Sequence, residues 1–147
     1  MDLSGLKWPL IILIILGIGW LFSSGGINYM IKNFTKAEVG ADPKRDVIDE
    51  NGLSRLGGWM LLMWRYDKAM QVLQLAVDRY PDGRNVWYNR YRMVKCAEKL
   101  QQYALATTIM EELIGADASS KDPRVPPNDN LRLRSEKLIE MYEIKKR

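Results

Sequence analysis

The chain has 147 residues and a net charge of +4, with Lys and Arg interspersed among Asp and Glu rather than grouped into a basic block. This pattern is not typical of nucleic-acid-binding proteins. The sequence contains no His and a single Cys, Cys96, which excludes histidine-dependent catalysis, an internal disulfide and a cysteine-rich zinc site. It also lacks a Gly-rich phosphate loop, a nucleophile elbow and a paired-carboxylate motif. The composition therefore predicts a non-catalytic protein with no metal, no cofactor and no small-molecule substrate.

The segment from Trp8 to Ile31 has no charged side chain. Because about 20 consecutive apolar residues span the hydrocarbon core of a bilayer, this run predicts a single-pass membrane anchor. We expect the anchor, with a short helix at the membrane surface, to occupy residues 1–36. A cleaved secretory signal is the alternative, since a basic residue precedes the apolar run and small residues follow it. Gly19 and Ser23, four positions apart, predict a face on which a second membrane helix packs.

The rest of the chain predicts an all-α domain. Residues 37–52 are polar and include Gly40 and Pro43, so we expect a linker there and a helical domain over residues 53–147. Almost no strand-like alternation occurs, and apolar residues recur at helical spacing. The predicted helices cover residues 53–64, 69–80, 86–94, 103–113 and 128–145, with a Pro-containing loop over residues 116–128.

Two stretches of this domain resemble the tetratricopeptide repeat. The residues that carry the first repeat are Leu56, Gly57, Tyr66, Asp67, Lys68, Ala69, Leu73, Ala76 and Pro81. The second repeat has Trp87, Tyr103, Ala106, Met110 and Leu113, but Tyr91 stands where a small residue is usual. The resemblance implies an α-solenoid of about two helical hairpins with a C-terminal capping helix. The residues also allow a generic pair of αα-hairpins.

The resemblance implies a concave surface lined by the first helix of each hairpin. In chaperone-binding members of the family a basic clamp holds a carboxylate, but here Ser54 and Gly58 stand at the matching positions. The run from Trp59 to Trp64 is apolar on every side of a helix, and such exposed runs mark interaction sites. The residues that we predict to bind a partner are Trp59, Leu61, Leu62, Tyr88, Asn89, Arg92 and Lys95.

The sequence thus predicts a membrane-anchored scaffold or accessory subunit that binds other protein subunits of a membrane complex and contacts lipid through its anchor. The alternative is a membrane-tethered, chaperone-like assembly factor that recruits soluble clients transiently. The short N-terminal side of the anchor has Lys7, whereas the other side has Lys32, Lys36 and the pair Lys44 and Arg45. This excess favours a cytoplasmic domain, and the compact chain favours a bacterial inner membrane.

Overall fold

Eight α-helices and no strand are present in residues 4–143, the part of the chain that the computed structural model describes. The all-α prediction is therefore confirmed. The helices are α1 (Ser4–Phe22), α2 (Ser24–Thr35), α3 (Pro43–Leu62), α4 (Tyr66–Arg79), α5 (Val86–Lys99), α6 (Tyr103–Gly115), α7 (Ala118–Lys121) and α8 (Asn128–Tyr142). The predicted end of the last helix at residue 145 lies outside the described residues. Contacts divide the chain into two units, and the boundary falls between Lys36 and Ala37.

Helix α1 is the one described helix that is long and apolar enough to cross a membrane. Its stretch from Gly5 to Phe22 covers 18 residues with a mean hydropathy of 2.0, and none of it is buried within the protein. A signal sequence near an N-terminus has the same length and composition. The structure therefore shows one apolar N-terminal helix that is suited to either role.

Ser23 ends α1 and starts α2. Its hydroxyl donates to the carbonyl oxygen of Trp20 at 2.6 Å and accepts from the amide of Gly26 at 3.2 Å. A Cβ atom on Gly26 would lie 2.3 Å from the same carbonyl oxygen, so only glycine fits this turn. The predicted pair of Gly19 and Ser23 therefore does not share one continuous helix, because α1 ends at Phe22. Within the described chain, a Cβ on Gly19 would meet nothing within 4 Å.

Residues 43–52 of the predicted linker are helical, because α3 begins at Pro43. Asp42 caps the helix by accepting from the amide of Lys44 at 3.0 Å, and proline suits the first helical position. Asp49 and Glu50 are buried although both are acidic. The first helix of the domain therefore starts at Pro43, ten residues before the position that the apolar periodicity indicates.

Helices α3 to α6 and α8 pack in chain order, each against the next, and α3 also contacts α5. The core between them is apolar and fully buried at Leu53, Met60, Leu73, Val94, Met110, Leu113 and Leu131. Helices α3 and α5 run in the same direction, since their contacts advance together along both helices. These contacts join Glu50 to Asn85, Ser54 to Asn89 and Gly58 to Arg92.

The two hairpins α3–α4 and α5–α6 close through the same turn. Trp64 and Gln101 both adopt left-handed backbone, with φ of 58° and 59°. The residues that follow them, Arg65 and Gln102, have φ, ψ of −89°, 62° and −89°, 61°. Each of these two residues donates its amide to a carbonyl five positions earlier, at 2.9 and 2.8 Å, which satisfies the end of the first helix. The second hairpin thus repeats the closure of the first.

Gly57 allows α3 and α4 to approach closely. A Cβ on Gly57 would lie 2.5 Å from a methyl carbon of Leu73, so the helices could not keep this distance with a larger residue. All three of the atoms nearest to this Cβ position belong to Leu73. Ala69 is fully buried one helical turn away.

Candidate protein-interaction surface

A cationic and aromatic strip follows one side of α5. Tyr88, Arg92 and Lys95 are spaced by four and three residues, so they share one side of the helix. All three are half-buried. The Arg92 guanidinium carbon lies 4.0 Å from the centre of the Tyr88 ring, a close cation–π contact. We call these three residues, with Leu61 of α3, the groove.

Helix α3 fixes the position of Arg92. A guanidinium nitrogen donates to the carbonyl oxygen of Ser54 at 3.0 Å and to its hydroxyl at 3.3 Å. A Cβ on Gly58 would lie 3.1 Å from the guanidinium, so glycine leaves the room that Arg92 occupies. Ser54 and Gly58 are the two positions that the tetratricopeptide resemblance matches to the basic clamp. In this chain they hold a cation that comes from the next hairpin.

Asn89 lies between α3 and α5 rather than on the surface. Its side chain is fully buried, and its carbonyl oxygen accepts from the Ser54 hydroxyl at 2.7 Å. The side-chain nitrogen of Asn89, Nδ2, is buried with no hydrogen-bond partner among the described residues. Asn89 therefore cannot bind a partner directly in this conformation. Its contact with Ser54 instead supports the position of Arg92.

Arg124 is a second cation beside Tyr88 that the sequence did not reveal. Its guanidinium carbon lies 4.6 Å from the Tyr88 ring centre. Two guanidinium nitrogens donate to Asp122 at 2.9 and 2.7 Å, and these bonds hold the pKa of that carboxyl below its usual range. Another nitrogen donates to the Asn85 side chain at 2.9 Å. Arg124 lies in the loop before α8, where no helical periodicity indicates which way a side chain points.

Lys95 completes the strip at its far end. Its ammonium nitrogen lies 4.8 Å from the centre of the Tyr91 ring. The neighbouring Arg134 of α8 is neutralised by a bidentate ion pair with Glu98, and this hydrogen bonding raises the pKa of Arg134. Among the described residues, no carboxylate lies within ion-pair distance of Arg92 or Lys95. The groove therefore has two cations that the chain itself does not neutralise.

The structure separates the predicted partner-binding residues into two surfaces. Leu61 is half-buried and lies seven residues after Ser54, which places it on the groove side of α3. Trp59 and Leu62 are instead 50% and 74% exposed, and they lie on the side of that helix that is opposite its buried side. We call that opposite side the outer face of α3. Its exposed residues are Lys44, Ile48, Arg55, Trp59 and Leu62.

A cavity of about 360 Å³ lies apart from the groove, between the start of α3 and the turn after α4. Val39, Pro43, Val47 and Pro81 give it largely apolar walls. Arg79 donates to the carbonyl oxygen of Ala37 at 2.8 Å, whereas its Nε, the Tyr80 hydroxyl and Asp46 Oδ1 are buried with no hydrogen-bond partner among the described residues. No group of three or more His, Cys, Asp and Glu residues that could hold a metal is found within residues 4–143.

Comparison with known proteins adds no family to this description. No family model, no curated protein and no solved structure matches the chain. Any function assigned to it therefore rests on the geometry of its own residues.

Proposed function

We propose that the chain is a membrane-anchored, non-catalytic adaptor whose tetratricopeptide-like domain binds an acidic segment of another protein subunit in the groove. The observation that carries this proposal is the pair of cations Arg92 and Lys95, which share one side of α5 and have no carboxylate partner in the described chain. A carboxylate-bearing segment is the partner that neutralises such a pair.

The Arg92 side chain of the groove is also preorganised in the absence of a partner. Ser54 and Tyr88 hold the Arg92 guanidinium in one position, so little rotamer freedom remains to be lost on association. Arg and Tyr are the residue types in which binding energy concentrates at protein interfaces. Leu61 adds an apolar contact on the same side. A short acidic segment with one apolar side chain fits this combination.

The parallel course of α3 and α5 and the repeated turn of the two hairpins support the tetratricopeptide-like part of the proposal. The apolar α1 supports the anchor. The four Lys and Arg residues after the apolar run, Lys32, Lys36, Lys44 and Arg45, outnumber the single Lys7 before it, which favours a cytoplasmic domain. A permanent subunit of a membrane complex agrees with this arrangement, because the anchor keeps the groove close to membrane-embedded partners.

The test is co-purification from native membranes in mild detergent. Full-length protein and the double variant Arg92→Gln, Lys95→Gln are compared, with Lys137→Gln as the control because Lys137 is exposed on α8. We expect a partner in fixed ratio with the wild type and the control, and its loss from the double variant, whose helical content by circular dichroism stays that of the wild type. Equal recovery from all three proteins contradicts the proposal. Loss of the partner on washing, from the wild type too, identifies a transient assembly factor instead.

A further inference from the structure

The outer face of α3 has a composition that is unusual for a helix surface in water. Its residues Lys44, Ile48, Arg55, Trp59 and Leu62 follow one another at intervals of four, seven, four and three positions, which return to the same side of a helix. Ile48, Trp59 and Leu62 are 57%, 50% and 74% exposed. Three of the five residues are thus apolar, two are cationic and none is acidic.

This face cannot turn inward, because the opposite side of α3 is already packed. Leu53, Leu56 and Met60 are buried against the neighbouring helices. Two of the three acidic residues of the helix, Asp49 and Glu50, are buried on that inner side as well, and Asp46 is half-buried. From Lys44 to Leu62 the outer face extends about 27 Å at 1.5 Å per residue. A flat, elongated strip of this kind suits a planar surface.

The connection between α2 and α3 is short. Helix α2 ends at Thr35 and α3 begins at Pro43, so seven residues connect them. Seven extended residues reach at most about 25 Å. Two further cations, Lys32 and Lys36, lie at the end of α2 and the start of this connection. When α1 crosses a bilayer, this connection therefore limits how far the start of α3 can lie from the end of α2.

We propose that the outer face of α3 lies on the bilayer, with Lys44 and Arg55 at anionic lipid headgroups and Ile48, Trp59 and Leu62 in the interfacial layer. Amphipathic helices that lie in this layer combine basic residues with Trp and aliphatic side chains, and their affinity rises with anionic lipid. The proposal rests on the membrane anchoring of the proposed function. It adds a second membrane contact, which orients the helical domain relative to the lipid.

The test uses full-length protein with Leu62→Cys, labelled with an environment-sensitive nitrobenzoxadiazole dye. The native Cys96 is fully buried and its burial raises the pKa of the thiol to about 11, so the label goes to the new cysteine. Lys137→Cys on α8 is the matched control. Both proteins are reconstituted into phosphatidylcholine vesicles with and without phosphatidylglycerol, and the lipids include a headgroup-level spin-labelled quencher. Ile48→Cys provides a second position on the same face.

We expect the dye at positions 62 and 48 to shift to the blue and to lose most of its emission to the quencher, and phosphatidylglycerol to strengthen both effects. The dye at position 137 should respond to neither. Dye emission at positions 62 and 48 that matches the control overturns the proposal. If Leu62→Gln then removes a co-purifying partner or dissociates a dimer, the face is a protein interface or a contact with a second copy.

Failure of this inference and failure of the anchor are distinguishable in the same samples. A protein that alkaline carbonate strips from the vesicles has no membrane-spanning helix, which contradicts the anchoring itself. A protein that resists carbonate but has an unquenched dye at positions 62 and 48 contradicts the docking of α3 alone.

Discussion

Glu50 accepts two hydrogen bonds from Asn85, one from its backbone amide at 2.9 Å and one from its side-chain amide at 2.8 Å. The pair is buried and joins the middle of α3 to the start of α5. Asn85 in turn accepts from Arg124 at 2.9 Å, so the same contact also holds the loop before α8. One carboxylate thus links three segments that surround Tyr88.

The variant Glu50→Gln should therefore destabilise the whole domain. A glutamine keeps one acceptor but directs its own NH₂ group at an Asn85 donor, which leaves a buried donor without a partner. Such losses cost about 1–3 kcal/mol. Urea denaturation followed by circular dichroism measures the change, and Glu111→Gln on the exposed side of α6 is the control, which should change stability by less than about 0.5 kcal/mol. Equal stability of the two variants would show that the Glu50 contact is not important for folding.

Gly57→Ala should lower stability by overpacking the α3–α4 pair. The new methyl group would lie 2.5 Å from a side-chain carbon of Leu73, which is itself fully buried. We expect a loss of about 1–3 kcal/mol. Gly115→Ala is the matched control, because a Cβ there meets nothing within 4 Å and alanine favours a helix. The melting temperature should fall for the first variant and stay or rise for the second, and a rise for both would contradict the close approach.

Trp64→Gly should stabilise the domain. Trp64 is 79% exposed and has a φ of 58°, where a residue with a Cβ is strained by about 1 kcal/mol or more. Glycine removes this strain and few contacts are lost. Gln101→Gly tests the equivalent position of the second hairpin and should raise the free energy of unfolding by a comparable amount, near 1 kcal/mol. A large loss of stability for Trp64→Gly alone would mean that its ring packs against the domain.

Because of the ion pair between Asp122 and Arg124, we expect the free energy of unfolding to fall at acidic pH. Because hydrogen bonds from Arg124 lower the pKa of Asp122 in the folded state, this carboxylate stabilises the fold above its unfolded pKa of about 4. That stabilisation is lost as the pH falls through the lower, folded pKa. Asp122→Asn should therefore flatten the dependence of the urea midpoint on pH below about pH 4, relative to wild type and Glu111→Gln. If the urea midpoint depends on pH in the same way for Asp122→Asn and wild type, the pair does not contribute to stability.

Apolar periodicity was a good guide where a helix buries an apolar stripe. Helices α4, α5 and α6 were predicted near their observed bounds, since Val72, Val94 and Met110 lie on such stripes. The first half of α3 was missed because its inner side buries Asp49 and Glu50 instead. Hydrogen-bonded carboxylates in a core leave no signal in hydrophobic spacing.

The candidate site was predictable in part. The tetratricopeptide resemblance predicted that Tyr88, Arg92 and Lys95 line one surface, and in the structure they share one side of α5. Spacing could not show that Asn89 is enclosed by α3, since that depends on the distance between two helices. Arg124 was missed because its position comes from a loop, where contacts and not periodicity determine direction.

Photo-crosslinking beside the groove is the most direct test of partner binding at this site. A photoreactive phenylalanine analogue replaces Lys99, which is exposed on α5 one turn beyond Lys95, in the full-length protein. It replaces Lys137 in a control sample, and both proteins are irradiated in native membranes. We expect one discrete crosslinked protein from position 99, its loss when Arg92→Gln is added, and no such product from position 137. Crosslinking that is absent at position 99, or that is indifferent to Arg92→Gln, would contradict an adaptor that binds its partner in this groove.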